Sequence, residues 1–361
     1  MTHVLTVIGA RPQFIKASPV SRALRAQGLQ ETVVHTGQHY DASMSQVFFD
    51  ELGMDPPQVH LDIGSGTHGD QTGRMLAAIE RTILASHPDV VLVYGDTNST
   101  LAGALAAAKL RVPIAHVEAG LRSWNRAMPE EINRIVADAV SDLLFAPTLV
   151  AVENLTQEGR PADAIVRTGD VMFDAALQHS SAADARSTIL ASLALTKGRY
   201  LLATVHRAEN TDDPERLRVI LGALGDLSRR HVVVLPLHPR TRTHIHANDE
   251  LLALLGDTQV IPPVGYLDMI ALERSAALIV TDSGGVQKEA YFHGVPCVTL
   301  RNETEWTELI ALGWNRLCPP DRVERVVAAA EAAVGTLGLQ GSPYGDGNAS
   351  ALIAQSLASR F

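Results

Sequence analysis

Residues 90–120 read VVLVYGDTNSTLAGALAAAKLRVPIAHVEAG, and this stretch decides the fold. An apolar run from Val90 to Tyr94 stops at Gly95-Asp96, and an alanine-rich stretch over 100–109 has helical composition. A second apolar run, over 112–117, stops at Glu118-Ala119-Gly120. Short continuous apolar runs are strands buried on both faces, and a helix joining two of them is a parallel crossover. The alternation continues outward, with strands over 3–8, 32–36 and 143–146 and helices over 16–27, 71–86 and 130–140. It restarts after about residue 170, with strands over 200–205, 232–235, 259–261, 277–281 and 297–299. Helices there read at 214–229, 267–274, 285–293 and 321–336, and the Ala/Ser-rich segment 180–198 is also helical in pattern. A glycine-rich loop over 341–347 precedes a last helix over 348–359. The fold class is therefore α/β, with two doubly wound parallel-sheet units of similar size. Ligands of such sheets bind at the carboxyl ends of strands, so the polar residues that follow each strand are where function is sought.

Composition bounds the function. The chain has 361 residues, 46% hydrophobic and 19% charged, the balance of a globular protein with room for two cores. A net charge of −10 argues against nucleic acid as a partner. Two cysteines exclude a disulfide scaffold and a four-cysteine zinc site. His244-Ile245-His246 has no clear third ligand, so no metal is expected. The first residues lack a basic, apolar leader and no run is long enough for a membrane span, so the expectation is a cytoplasmic protein with no membrane partner.

The strand ends carry the chemistry. After the first strand comes Gly9-Ala10-Arg11-Pro12-Gln13-Phe14-Ile15-Lys16, a glycine turn with two cations ahead of a helix, which suits an anion. It is not GxGxxG, so no dinucleotide cofactor is expected. Asp96 follows one strand and Glu118 another, while Pro129-Glu130-Glu131-Ile132-Asn133-Arg134 opens a helix. Glu130 and Arg134, four apart, can share a helical face. Asp96, Glu118 and Glu130 thus gather at the rim of one sheet, as acid–base pairs require. In the second unit, strands end in His206-Arg207-Ala208-Glu209-Asn210 and in Leu237-His238-Pro239-Arg240. The strongest signal is Thr281-Asp282-Ser283-Gly284-Gly285-Val286-Gln287-Lys288-Glu289: a strand, Ser-Gly-Gly, then a helix whose first amides can cradle a diphosphate. Glu289, about one turn into that helix, can accept hydrogen bonds from both ribose hydroxyls.

Taken together, these motifs resemble the non-hydrolysing UDP-N-acetylglucosamine 2-epimerases over nearly the whole chain. The resemblance runs through GARPQFIKASP (9–19), GQH (37–39), GDT (95–97), HVEAGLRS (116–123), PEEINR (129–134), HRAEN (206–210), TDSGG (281–285) and PYGDG (343–347). It implies a GT-B-like fold of two Rossmann-like domains with a central cleft, residues 1–168 plus a returning helix 348–361, and residues 169–347. It also implies a homodimer acting on a UDP-sugar. Position by position, it gives Arg11, Lys16, Asp96, Glu118 and His206 to the nucleotide sugar and Glu130 and Arg134 to the remaining acid and arginine. Ser283, Gly284, Gly285 and Glu289 fall to UDP. Gln38, His39 and Gln71 match part of an allosteric site for a second nucleotide sugar. The implied activity interconverts UDP-GlcNAc and UDP-ManNAc by eliminating UDP and re-adding it. Catalysis would fall to Asp96, Glu118, Glu130 and His206.

Several positions depart from the commoner pattern of that family. Gln13 stands where Glu is usual, Lys288 where an acid is usual, Trp306 where an arginine is common and Met269 where an aromatic is common. Such variants look like the branch acting on UDP-2,3-diacetamido-2,3-dideoxyglucuronate, the alternative substrate. Asp70 stands where an arginine of the allosteric site is expected, and an acid beside a diphosphate repels it. A GT-B glycosyltransferase would explain the UDP turn but not three carboxylates where an acceptor should sit. A silent nucleotide-sugar sensor would tolerate their loss.

Overall fold

The computed structural model describes residues 1–38, 49, 51–246 and 248–361, and divides them into two units, 1–178 with 342–361, and 179–341. The first holds seven parallel strands: His3–Ile8 (β1), Gln30–His35 (β2), Val59–His60 (β3), Val90–Tyr94 (β4), Ile114–Val117 (β5), Leu143–Ala146 (β6) and Ile165–Arg167 (β7). They lie in the order β3-β2-β1-β4-β5-β6-β7. The second holds Tyr200–Thr204 (β8), Val232–Pro236 (β9), Gln259–Ile261 (β10), Leu278–Thr281 (β11), Cys297–Thr299 (β12) and Asn315–Leu317 (β13), in the order β10-β9-β8-β11-β12-β13. The expected α/β class with two doubly wound parallel sheets is what the chain adopts. The three strands missing from the sequence reading, β3, β7 and β13, have two or three residues each and lie at sheet edges, too short to show a period.

Each central strand is buried because both its faces are covered. In the first unit Leu5, Val7, Val91 and Val93 pack with Met75, Ile79 and Ala102 from the helices. In the second, separate apolar clusters form on the two faces of the sheet, one around Leu201, Leu235 and Val280 and one around Tyr200, Leu202 and Ile279. The helix expected at 16–27 begins earlier, at Arg11, with Pro12 in its first turn, where the missing N–H costs nothing.

The unit boundary lies ten residues later than the sequence reading placed it, and residues 342–347 join the first unit. The reason is local. The Asp174 carboxylate accepts hydrogen bonds from the Ala349 and Ser350 amides at 3.2 and 2.7 Å, capping the terminal helix Ala349–Arg360. Just before it, Asp170 N–H donates to the Tyr344 carbonyl, and a Cβ on Gly169 would stand 2.7 Å from that same oxygen. Among the described residues no helix is long and apolar enough to cross a membrane.

In each sheet the chain winds outward from one strand and then returns to that strand's other side. β1 therefore neighbours β4, and β8 neighbours β11. A crevice opens beyond the carboxyl ends of the strands at such a reversal.

Candidate active site

At the first reversal, Gly9 closes the turn after β1. A Cβ there would sit 1.9 Å from Thr36 Oγ1 and 2.3 Å from Ser99 Oγ, so no side chain fits. The helix that follows carries Lys16 inward, where its ammonium donates to Glu118 Oε1 at 2.7 Å, both side chains buried. The ammonium also lies over Gly95, 3.1 Å from where its Cβ would be, and Glu118 Oε1 is 3.9 Å from that point. Lys16 and Glu118 thus meet beside the residue that precedes Asp96. Asp96 itself pairs with Arg134, Oδ2 to Nη2 at 2.5 Å, and keeps 29% of its side chain exposed against 3% for the arginine. Its carbonyl accepts from Asn133 Nδ2 at 2.9 Å.

Glu118 has φ 73, in the left-handed region that a residue with a Cβ enters at a cost of about 1 kcal/mol. Strain of this kind persists only where surrounding structure fixes it. Here Glu118 and Ala119 N–H both donate to the Phe145 carbonyl.

The helix Pro129–Val140 carries both Glu130 and Arg134, as expected, and turns Arg134 toward the Asp96 bend. Arg134 reaches Asp96 and, at 3.2 Å, Glu131 Oε2, not Glu130. Glu131 is fully buried and accepts from Ser123 N–H, Ser123 Oγ and Trp124 N–H at 2.9–3.0 Å. Glu130 stays partly exposed in the first turn. Glu131 was missed because adjacent acids look alike in sequence; its spacing of three from Arg134 was the available signal.

The residues matched to an allosteric site sit beside this constellation. Gln38 Oε1 accepts from Ser99 N–H and Oγ at 3.0 and 2.7 Å. Gln71 bridges the Gly64 carbonyl and Asn98 Nδ2, and Asn98 in turn accepts from Asn133. His39 lies outside the described residues, and nothing is described of the Arg11 side chain. Asp70 pairs with Arg74 one turn on, at 2.7 Å.

At the second reversal the hub is Asp282, fully buried at the end of β11. Its carboxylate accepts from His206 N–H, Arg207 N–H and Asn210 Nδ2 at 3.0–3.2 Å, which fixes the loop after β8. His206 is thereby held with Nδ1 3.6 Å from Asp282, its ring 38% exposed and tilted against His238. Ser283 caps the helix Gly284–Phe292, its Oγ accepting from Val286 N–H. Neither Gly284 nor Gly285 has a positive φ. Backbone geometry therefore does not require glycine at either position. Glu289, on the same helix, is 6% exposed.

Around Gly284 stand Trp306 Nε1, Arg207 Nη2 and Glu305 Oε1, each 3.6–3.8 Å from its Cβ position. Glu305 is held by buried Arg301 at 2.9 Å. The Lys288 ammonium lies 4.0 Å over the Trp306 ring, both side chains buried. Two of the departures seen in sequence are thus one cation–π pair. Met269 packs against the apolar cluster of this unit. Of the His244-Ile245-His246 segment, His244 pairs with Asp212 and Ile245 is buried in the core.

Two Rossmann-like units, with carboxylate–cation pairs at one strand reversal and a Ser-Gly-Gly helix start at the other, define a GT-B-like α/β enzyme. The sequence model described as UDP-N-acetylglucosamine 2-epimerase matches residues 22–358. The chain is 56% identical over 360 residues to the Pseudomonas aeruginosa UDP-2,3-diacetamido-2,3-dideoxy-D-glucuronate 2-epimerase, covering 98% of this chain and 99% of that one. It is 42% identical to the UDP-N-acetylglucosamine 2-epimerase of Methanocaldococcus jannaschii, over 97% of each chain. The crystal structure of the latter with UDP-GlcNAc and UDP superposes with a TM-score of 0.91, covering 99% of both chains. The chain belongs to the UDP-N-acetylglucosamine 2-epimerase family, and it is an epimerase.

Proposed function

We propose that this enzyme inverts C2 of a UDP-activated 2-acetamido sugar, and that the sugar is 2,3-diacetamido-2,3-dideoxyglucuronate. The observation that carries the reaction is the pairing of Glu118 with Lys16 and of Asp96 with Arg134 at the ends of neighbouring strands. The 56% identity to the relative of that name supports the sugar, as does the Lys288–Trp306 pair that replaces the commoner acid and arginine.

The acetamido group at C2 makes transient oxidation there a poor route, and no carbonyl adjoins C2 to acidify its proton. Elimination avoids both difficulties. A carboxylate removes the C2 proton while the C1–O bond to UDP breaks, which leaves UDP and a 2-acetamidoglycal. A proton then reaches C2 from the opposite face as a β-phosphate oxygen re-forms the bond to C1. Asp96 and Glu118 serve as base and acid, with Glu130 tuning them or relaying a proton. Positioned proton transfer of this kind is typically worth about 10²–10⁴ in rate. Arg11, Lys16, His206 and the Ser283–Gly284–Gly285 amides hold the departing diphosphate, where donors aimed at developing charge contribute most. Arg134 fixes Asp96, and Glu289 takes the ribose. The working form in this reading is a cytoplasmic homodimer that needs no metal or redox cofactor.

Incubation with the UDP-diacetamidouronate in D2O, followed by NMR, tests this reading. Deuterium at C2 in an intact UDP-sugar is the expected result. Release of free sugar and UDP, or no exchange with either this sugar or UDP-GlcNAc, overturns it. Exchange with UDP-GlcNAc alone selects the second reading, which is favoured by the 42% identical relative solved with UDP-GlcNAc.

A further inference from the structure

Beneath the two proposed carboxylates runs a chain of charges, buried at His116, Asp138 and Arg122 and ending at the surface on Glu158, that the mechanism above does not use. His116, in β5, is fully buried. Its Nε2 lies 2.7 Å from the Gly95 carbonyl, and its Nδ1 lies 2.7 Å from Asp138 Oδ1. The other oxygen of Asp138 accepts from Gly120 N–H at 3.0 Å and meets Arg122 Nη1 at 2.7 Å. Arg122 forks onto Glu158 with Nε and Nη2 at 2.6 and 2.5 Å.

We propose that His116 is a positioning residue for the C2 chemistry, a buried imidazolium that, with Asp138, locks the two backbone bends presenting Asp96 and Glu118. The inference rests on the assignment of those two carboxylates to the reaction.

The protonation state follows from the partners. A carbonyl oxygen only accepts, so Nε2 carries a proton. The Asp138 carboxyl meets the permanently charged Arg122 guanidinium at 2.7 Å and accepts from the Gly120 N–H on the same oxygen, so it is ionised. An ionised carboxylate has no proton to give, so Nδ1 carries one as well. The chain then sums to two cations, His116 and Arg122, and two anions, Asp138 and Glu158. Pairing of the three buried charges with one another and with Glu158 at the surface is what makes them tolerable there.

The mechanical consequence lies in the bends. Gly95 (φ 61) immediately precedes Asp96, and its carbonyl is the one His116 holds. Gly120 (φ 83) follows the left-handed Glu118 by two residues, and its N–H is the one Asp138 holds. A Cβ on Gly120 would stand 2.4 Å from the Ala151 carbonyl, so the bend is also fixed from outside. One imidazolium–carboxylate pair therefore ties the Asp96 turn to the Glu118 turn. A misplacement of about 1 Å at a reacting group can cost on the order of 10²-fold in rate.

Two isosteric variants separate this role from a merely structural one. His116→Asn keeps an amide near Nδ1 for Asp138 and loses Gly95; His116→Gln reaches Gly95 and loses Asp138. With the UDP-sugar found to exchange, both should lose on the order of 10²-fold in C2 deuterium uptake per folded molecule. The loss should fall in kcat, with KM and UDP affinity near those of the parent. Uptake close to the parent's in both variants overturns the proposal. If the variants do not fold, ¹⁵N-histidine NMR of the parent decides. Two protonated ring nitrogens at neutral pH support the proposal, and one bare nitrogen overturns it. Parent-like uptake in Asp96→Asn, read in the same assay, instead defeats the site assignment beneath it.

Discussion

The two strand reversals share buried ion pairs but differ in how much of the work the backbone does. At the first, charged side chains are locked to one another: Lys16 to Glu118, Arg134 to Asp96 and Glu131, His116 to Asp138. At the second, backbone amides share the work with the Arg301–Glu305 ion pair and the Lys288–Trp306 contact. Asp282 accepts from two peptide N–H groups and from Asn210 Nδ2, and the helix after Ser283 opens on two glycines. The difference follows from the tasks. Proton transfer needs titratable groups fixed within tenths of an ångström, and buried ion pairs do that, at the cost of a strained Glu118. Gripping an anion needs N–H groups that nothing covers, which is done by removing side chains.

Neutralising the first site is the strongest way to break this contrast. Asp96→Asn and Glu118→Gln should each lower C2 exchange by about 10²–10⁴ while UDP affinity stays within a few-fold of the parent, measured by deuterium uptake and calorimetry. A parallel collapse of UDP binding would show that the two sites are not divided as argued.

Below the strand ends the two units should behave alike, and acid tests that. Burial, helped by His60, pushes His35 of the first unit down to about 4. Burial, helped by Arg274, pushes His293 of the second down to about 3. Both are neutral in the fold and have ordinary values near 6.5 once unfolded. The unfolded chain therefore binds the extra protons, so the stabilisation is complete above pH 6.5 and is lost as pH falls toward 4. Each contributes a slope of up to about 1.4 kcal/mol per pH unit, measurable by denaturant unfolding at stepped pH. His35→Phe, placed beside Phe14 and Phe49, should flatten the slope of the first unit alone.

The sequence showed the sheets because buried parallel strands are continuous apolar runs, and showed the site because its residues follow those strands directly. It could not show partners. Nothing in PEEINR says that Arg134 turns to Asp96 and Glu131, because that depends on how the helix is rotated against β4. Nor does HVEAGLR say that its histidine meets Asp138, 22 residues on. Gln13 illustrates the same limit. In sequence it is only a departure from Glu, whereas in the fold its Oε1 accepts from Gly9 and Ala10 N–H and its Nε2 donates to the Tyr94 carbonyl and Thr100 Oγ1. A carboxylate keeps the first pair of bonds and loses the second. Gln13→Glu should therefore cost about 1–3 kcal/mol of stability in this chain, read by thermal or urea unfolding, and so sharpen how far the first site depends on its frame.

Gly284→Ala makes the smallest change and separates the two building principles most finely. If glycine served the backbone, alanine would strain the turn and lower stability. Gly284 instead has ordinary helical geometry, and a Cβ would meet its neighbours at no less than 3.6 Å. Alanine is the better helix former, by up to about 1 kcal/mol in a helix interior and less at this first position, so the variant should unfold at the same temperature or slightly higher. The added methyl would nonetheless stand among Trp306, Arg207 and Glu305, next to the first amides of the helix. A diphosphate held there would lose closest approach, and a penalty of about 1.4 kcal/mol would appear as a tenfold weaker UDP dissociation constant. Stability held while affinity falls is the signature of a surface cleared for a ligand. A fall in both, or in neither, would mean that the second reversal is not the bare-backbone grip that sets it apart from the first.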